Sequence, residues 1–239
     1  MKKLVLCIVV LVLVIGSLLY FIDMDRMKNN EPVVFSTWGK DYTPPAQDNK
    51  VVNNDRELSV EEIAKVNEAF KVFIPLENGN VGEEILNPIT NFFISYYEKP
   101  ADMNLENFLM YFTTEDMRSQ DRVSETEFLK LKENPKFKFE AETLADMPLP
   151  INRKPVDEVN KVLQKYMNIT TEDLNTDNIV FLGEPYNAFY DNTSDMGFET
   201  FDCISGKIEG NKVYLYSEDA ILTLSKTGDN YYIVSHLKK

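Results

Sequence analysis

The chain has 239 residues, 44% of them hydrophobic and 27% charged, with a formal net charge of −14. That is enough apolar material for one or two packed domains and argues against a fully disordered polypeptide. The acid excess, with no basic cluster to offset it, repels phosphate backbones and anionic lipid surfaces, so nucleic acid is set aside as a partner.

At the N-terminus, Lys2 and Lys3 precede an uncharged apolar run from Leu4 to Ile22. As a helix rising about 1.5 Å per residue it is about 28 Å long, close to the hydrocarbon thickness of a bilayer. Gly16-Ser17 offers small residues for signal cleavage, but Leu18 to Ile22 prolong the run beyond a usual signal core and no A-x-A pattern follows. Residues 1–22 therefore read as an uncleaved transmembrane signal-anchor. Positive charge ahead of the span places the rest outside the cytoplasm. Cys7 lies within the apolar run with no small residues before it, unlike a lipoprotein cysteine.

Beyond the span, 23 basic residues face 39 acidic ones, a balance of −16. Cys203 is the only cysteine there, so this part forms no internal disulfide and relies on its core. With no cation beside it in sequence, Cys203 reads as a buried apolar thiol in a strand.

Residues 23–56 read as a juxtamembrane arm and linker. Within the arm, PVVFSTW (32–38) alternates Val33, Phe35 and Thr37 with Val34, Ser36 and Trp38 between bounding prolines, the pattern of a short edge strand or docking arm. Val33, Phe35 and Trp38 are its candidate docking residues.

Residues 57–239 read as one extracytoplasmic α+β domain, helices first. LSVEEIAKVNEAFKVF carries Ser59 as N-cap, Glu62 three residues on, and Ile63, Val66 and Phe70 at helical spacing. NPITNFFISYYEK starts a helix at Pro88 and gathers Phe92, Phe93, Tyr96 and Tyr97; NLENFLMYF and SETEFLKLKEN are shorter helices. ADMPLPINRKP is a proline-punctuated loop. PVDEVNKVLQKYM then places Val156, Val159, Val162, Leu163 and Tyr166 on one helical face, stopping near Asn168.

From Asn178 the period becomes two. NIVFLG and FETFDCISGKIEGNKVYLYSEDAILTLSKTGDNYYIVSHL read as antiparallel strands, with turns at Glu209-Gly210-Asn211 and Thr227-Gly228-Asp229-Asn230. In KVYLYS, Val213 and Leu215 face one way, Tyr214 and Tyr216 the other. In the last strand Tyr231, Ile233 and Leu237 oppose Tyr232, Val234 and His236.

Catalytic signatures are weak. A single histidine, His236, rules out multi-histidine metal sites and H-E-x-x-H proteases, and strand neighbours Ser235 and His236 point to opposite faces. Lys226-Thr227-Gly228 and Ser235-x-x-Lys238 occur in the wrong order and spacing for penicillin-recognising serine enzymes. The oxygen-rich stretch from Asp191 to Asp202 has Met196 and Asp202 where a calcium loop needs Gly and Glu, so it reads as a turn. Asn168-Ile169-Thr170 and Asn192-Thr193-Ser194 are glycosylation sequons. No catalytic residue, metal or cofactor is expected.

The candidate ligand-binding set is the aromatic concentration Tyr186, Phe189, Tyr190, Phe198 and Phe201 beside Asp191 and Asp195, since a concave site needs aromatics with a few polar groups. Ordinary sheet packing explains the same residues.

DMDRMKNNEPVVFSTWGKDYTPP, NPITNFFISYYEKP, VNKVLQKYMNIT and the terminal LTLSKTGDNYYIVSH resemble a group of uncharacterised exported or membrane-anchored proteins of clostridial-type Gram-positive bacteria. The order of helices followed by a meander also resembles NTF2-like or cystatin-like domains, which implies a curved sheet wrapping a helix. The functional expectation is a cell-membrane, single-pass, non-enzymatic binding or accessory protein for a small ligand or an envelope protein. Its rivals are an envelope hydrolase using carboxylates and a sensory subunit of a membrane complex.

Overall fold

The computed structural model describes residues 55–76, 82–112, 123–192 and 197–239. The expected span (1–22), the docking residues Val33, Phe35 and Trp38, and Asp195 lie outside the described residues. Among the described residues, no helix is long and apolar enough to cross a membrane.

The fold is α+β with mainly antiparallel sheets. Strand β1 (Arg56–Glu57) leads into α1 (Val60–Ala69). Ser59 and Glu62 form the expected reciprocal capping box, satisfying two N-terminal donors of that helix. Ile63 and Val66 pack on the main core and Phe70 is buried in it. The hairpin strands β2 (Phe73–Pro75) and β3 (Glu84–Leu86) follow.

The segment after Asn87 is a 3₁₀ helix, Pro88–Phe93, in place of the longer expected helix. The chain then leaves the helix because Tyr97 exchanges two backbone hydrogen bonds with His236. Helices α2 (Leu105–Met110) and α3 (Glu125–Glu133) form where their periodicity places them, capped by Asn104 and Ser124.

Residues 145–155, expected to be a loop, contain strand β4 (Asn152–Pro155). It is tolerated despite its proline because β4 sits at the edge of a three-stranded sheet, order β4-β6-β5, where a missing N–H costs little. Helix α4 (Val156–Met167) buries Val159, Leu163 and Met167 and ends at Asn168 in the left-handed region, φ 57°. Strands β5 (Val180–Leu182) and β6 (Ala188–Asp191) complete the small sheet, so Asp191 ends a strand.

The larger sheet runs β1-β7-β8-β9-β10, with β7 (Ser205–Glu209), β8 (Lys212–Tyr216), β9 (Ala220–Thr227) and β10 (Asn230–Lys238) as a meander. Regular pairing starts only at Ser205, so Cys203 is buried just ahead of a strand. Gly210 and Gly228 supply the positive φ of two tight hairpins. Val213 and Leu215 face the core as their alternation requires.

In β10 the simple alternation fails. A bulge between Ile233 and Ser235 leaves Val234 extra, pairing Ile233 with Leu224 and His236 with Leu222. One extra residue reverses the faces beyond it, so His236 shares the core side with Ile233. The main core joins this face to α1, α2, α4 and the aromatics of 92–97; a second core packs Phe128 and Leu131 of α3 on Ala188 and Tyr190.

Candidate functional site

The small sheet concentrates the polar chemistry. Its register sets Asn152 opposite Asp191, Arg153 opposite Tyr190, and Lys154 opposite Phe189. Because side chains alternate, Arg153 and Tyr190 share the face under α3, whereas Asn152, Lys154 and Asp191 share the other.

On the α3 face, Glu127 is buried through the same helical stripe as Phe128 and Leu131. Its Oε1 accepts hydrogen bonds from the Tyr190 hydroxyl and from Arg153 Nε at 3.0 Å. Arg153 also donates to the Tyr186 carbonyl at 2.6 Å. Burial first, then the Glu127 carboxylate, push the Tyr190 hydroxyl well above the usual tyrosine range, and Arg153 opposes them. A buried carboxylate paired with a cation and a hydroxyl is electrostatically complete and clamps α3 to the sheet.

On the opposite face Lys154 is 3% exposed. Its Nζ donates to the Leu109 carbonyl near the end of α2 and contacts Asp191 Oδ2. The other oxygen, Oδ1, accepts from Asn152 Nδ2 at 2.8 Å. Burial draws Lys154 down to about 7, while the Asp191 carboxylate beside it favours the charged form.

Of the expected ligand-binding residues, Phe189 and Phe201 belong to the main core and Tyr190 to the second. Tyr186 is half-buried and serves the α3 clamp through its backbone. Phe198 is exposed and stacks edge to face on Phe73 at 6.1 Å. Asp191 joins Lys154. The described members of the set are thus spread over two cores, one ion pair and the surface.

Other candidate groups are built into the core. His236 is ringed by Tyr96, Phe93, Tyr97 and Phe201, with centroids 4.9 to 6.1 Å away, and its Nδ1 lies 2.9 Å from the Ser95 carbonyl. Burial lowers its pKa. Burial also raises that of the Cys203 thiol, whose Sγ donates to the Ser205 carbonyl. Lys226-Thr227-Gly228 lies in the β9–β10 hairpin. Among the described residues no three His, Cys, Asp or Glu side chains gather as metal ligands.

The residues missed from sequence are Glu127, Asn152, Arg153 and Lys154. Glu127 is one acid among 39. The only signal for the other three was a charged pair between prolines, which reads equally well as a loop.

No family model, characterised protein or solved structure matches this chain.

Proposed function

We propose that this is a membrane-tethered extracytoplasmic accessory domain that acts by holding an envelope protein, not by catalysis. The apolar run 4–22 behind Lys2 and Lys3 supports the tether and the export of the rest. The four-stranded meander β7–β10, with α4 against β10, supports an NTF2-like reading of the C-terminal part.

The observation that carries the proposal is the exposed aromatic pair Phe73 and Phe198, 51% and 46% accessible yet stacked on each other. Next to Phe198, Gly197 approaches Tyr111 so closely that a Cβ there would come within 2.4 Å of its ring. Large apolar side chains left exposed side by side mark interaction surfaces, and phenylalanine is among the residues enriched at interface cores. Acidic residues accompany the patch in the chain, Glu199 beside Phe198 and Glu84 paired with Pro75. Together with the net charge, they fit a partner that offers an apolar groove with a basic rim.

The test places a photo-crosslinking amino acid at position 198 of the full chain in intact cells, with position 231 as control. Tyr231 is comparably exposed, at 47%. The expected result is one adduct from position 198, identified as a single envelope protein and lost on Phe73→Ser or at high salt. Equal labelling from both positions refutes the proposal.

A further inference from the structure

From the way β4 and β6 present their side chains, we infer that Lys154 and Asp191 become joined by an amide bond, an intramolecular cross-link between adjacent strands. The reaction needs an amine, a carboxyl group held against it, a donor for the oxygen that becomes negative, and little water. The amine, the carboxyl group and the donor share one face of the small sheet, and water is kept from the Lys154 side chain and from Asp191 Oδ2, the Asp191 side chain as a whole being 26% accessible.

Lys154 is buried, and its Nζ touches Asp191 Oδ2, itself a buried atom. The contact is fixed by the backbone, since Lys154 follows Asn152 by two residues and Asn152 is register partner to Asp191. The Leu109 carbonyl accepts one N–H of the amine and so aims the nitrogen. Asn152 Nδ2 holds Oδ1 at 2.8 Å, leaving Oδ2 as the oxygen that faces the amine.

The ammonium–carboxylate pair and the neutral amine–carboxylic acid pair contain the same protons. Burial of the Lys154 amine favours the neutral pair, while contact between the two groups favours the charged one, so both forms are within reach. The depressed pKa of Lys154, about 7, expresses the effect of burial at the amine.

In the reaction Nζ adds to Cγ of the protonated carboxyl group, forming the C–N bond. The negative charge that develops on Oδ1 is met by the Asn152 N–H, as in an oxyanion hole. One proton passes from nitrogen to the departing Oδ2 hydroxyl, the Cγ–Oδ2 bond breaks, and one water leaves. The product is a neutral amide in place of two charges, and no oxidant, metal or cofactor takes part. Holding the groups in contact supplies the effective concentration that free amine and carboxylate lack in water.

The experiment is peptide mapping of the purified full chain by mass spectrometry. Trypsin cleaves after Arg153, Lys161, Lys165 and Lys207, releasing residues 154–161 and 166–207. The expected species is one branched peptide, lighter by a single water than its two parts, with fragment ions placing the branch at Lys154 and Asp191. Lys154→Met should restore the linear 166–207 peptide at its full mass, and Asn152→Ala should lower the linked fraction at least tenfold in freshly made protein. Recovery of both wild-type peptides in linear form at full mass overturns the inference. So does a lost water on a linear Asp191 peptide with Lys154 free, which marks a succinimide instead.

Discussion

Replacing Tyr190 with Phe isolates the energy of the clamp under α3. Tyr190 and Tyr97 are each 3% exposed and each donates one hydroxyl hydrogen bond, to the Glu127 carboxylate and to the neutral Phe92 carbonyl at 3.2 Å respectively. Deleting a hydrogen bond to a charged group costs about 1.5–3 kcal/mol, and to a neutral one about 1 kcal/mol. Glu127 keeps Arg153 in Tyr190→Phe, so a cost of about 2 kcal/mol is expected, roughly twice that of Tyr97→Phe. In a domain of this size that lowers Tm by about 4–8 °C. Equilibrium denaturation of both variants gives the comparison, and a double-mutant cycle with Glu127→Gln assigns the difference to the pair. Equal costs for the two tyrosines, or additive effects in the cycle, would refute the claim that the carboxylate makes Tyr190 special.

Gly206→Ala should loosen the start of the domain. A Cβ there meets Leu58 Cδ1 at 2.6 Å and the Tyr214 carbonyl at 2.9 Å, so the expected cost is about 1–3 kcal/mol, with faster hydrogen exchange at the Leu58 amide that now bonds to the Gly206 carbonyl; unchanged exchange would contradict it. His236 gives an acid-side prediction: burial puts its folded pKa below the unfolded value of 6.5, so the unfolded chain binds a proton more readily. Stability should be fully present above pH 6.5 and fall as pH drops through the folded value. Because the chain has no other histidine, His236→Phe should flatten the stability profile in the range just below about pH 6.5, and an unchanged slope would show that another group governs it.

What the sequence revealed depended on how local the cause was. The Ser59–Glu62 capping box, the α4 stripe ending at Asn168, the Gly210 and Gly228 turns and the alternation of KVYLY all follow from residues within a turn or two of one another, and all are present. The bulge at Val234 was not legible, because period-two reading has no mark for an inserted residue. β4 was hidden for a different reason: charges and prolines normally report surface, and only its edge position beside β6 makes a strand of them. The candidate site shows the same division. Asp191 stood out through its aromatic neighbours, but Lys154 lies 37 positions earlier and nothing local distinguishes it from the other lysines.

The cross-link also explains how so small a sheet can keep a lysine inside. Strands of three or four residues are short for independent stability, and β4-β6-β5 is held by a core on each side. A buried ion pair adds little to that, since desolvation of both charges consumes most of their attraction. An amide between Lys154 and Asp191 removes both charges and restrains a 37-residue separation in the unfolded chain. By the loop-closure reasoning used for disulfides, that restraint is worth about 4 kcal/mol. With Cys203 the only cysteine after Cys7, Lys154 and Asp191 supply a buried amine and a carboxylate already in contact as reactants for a covalent staple. Chemistry between strands thus gives a disulfide-free domain a means of locking its smallest sheet after folding has assembled it.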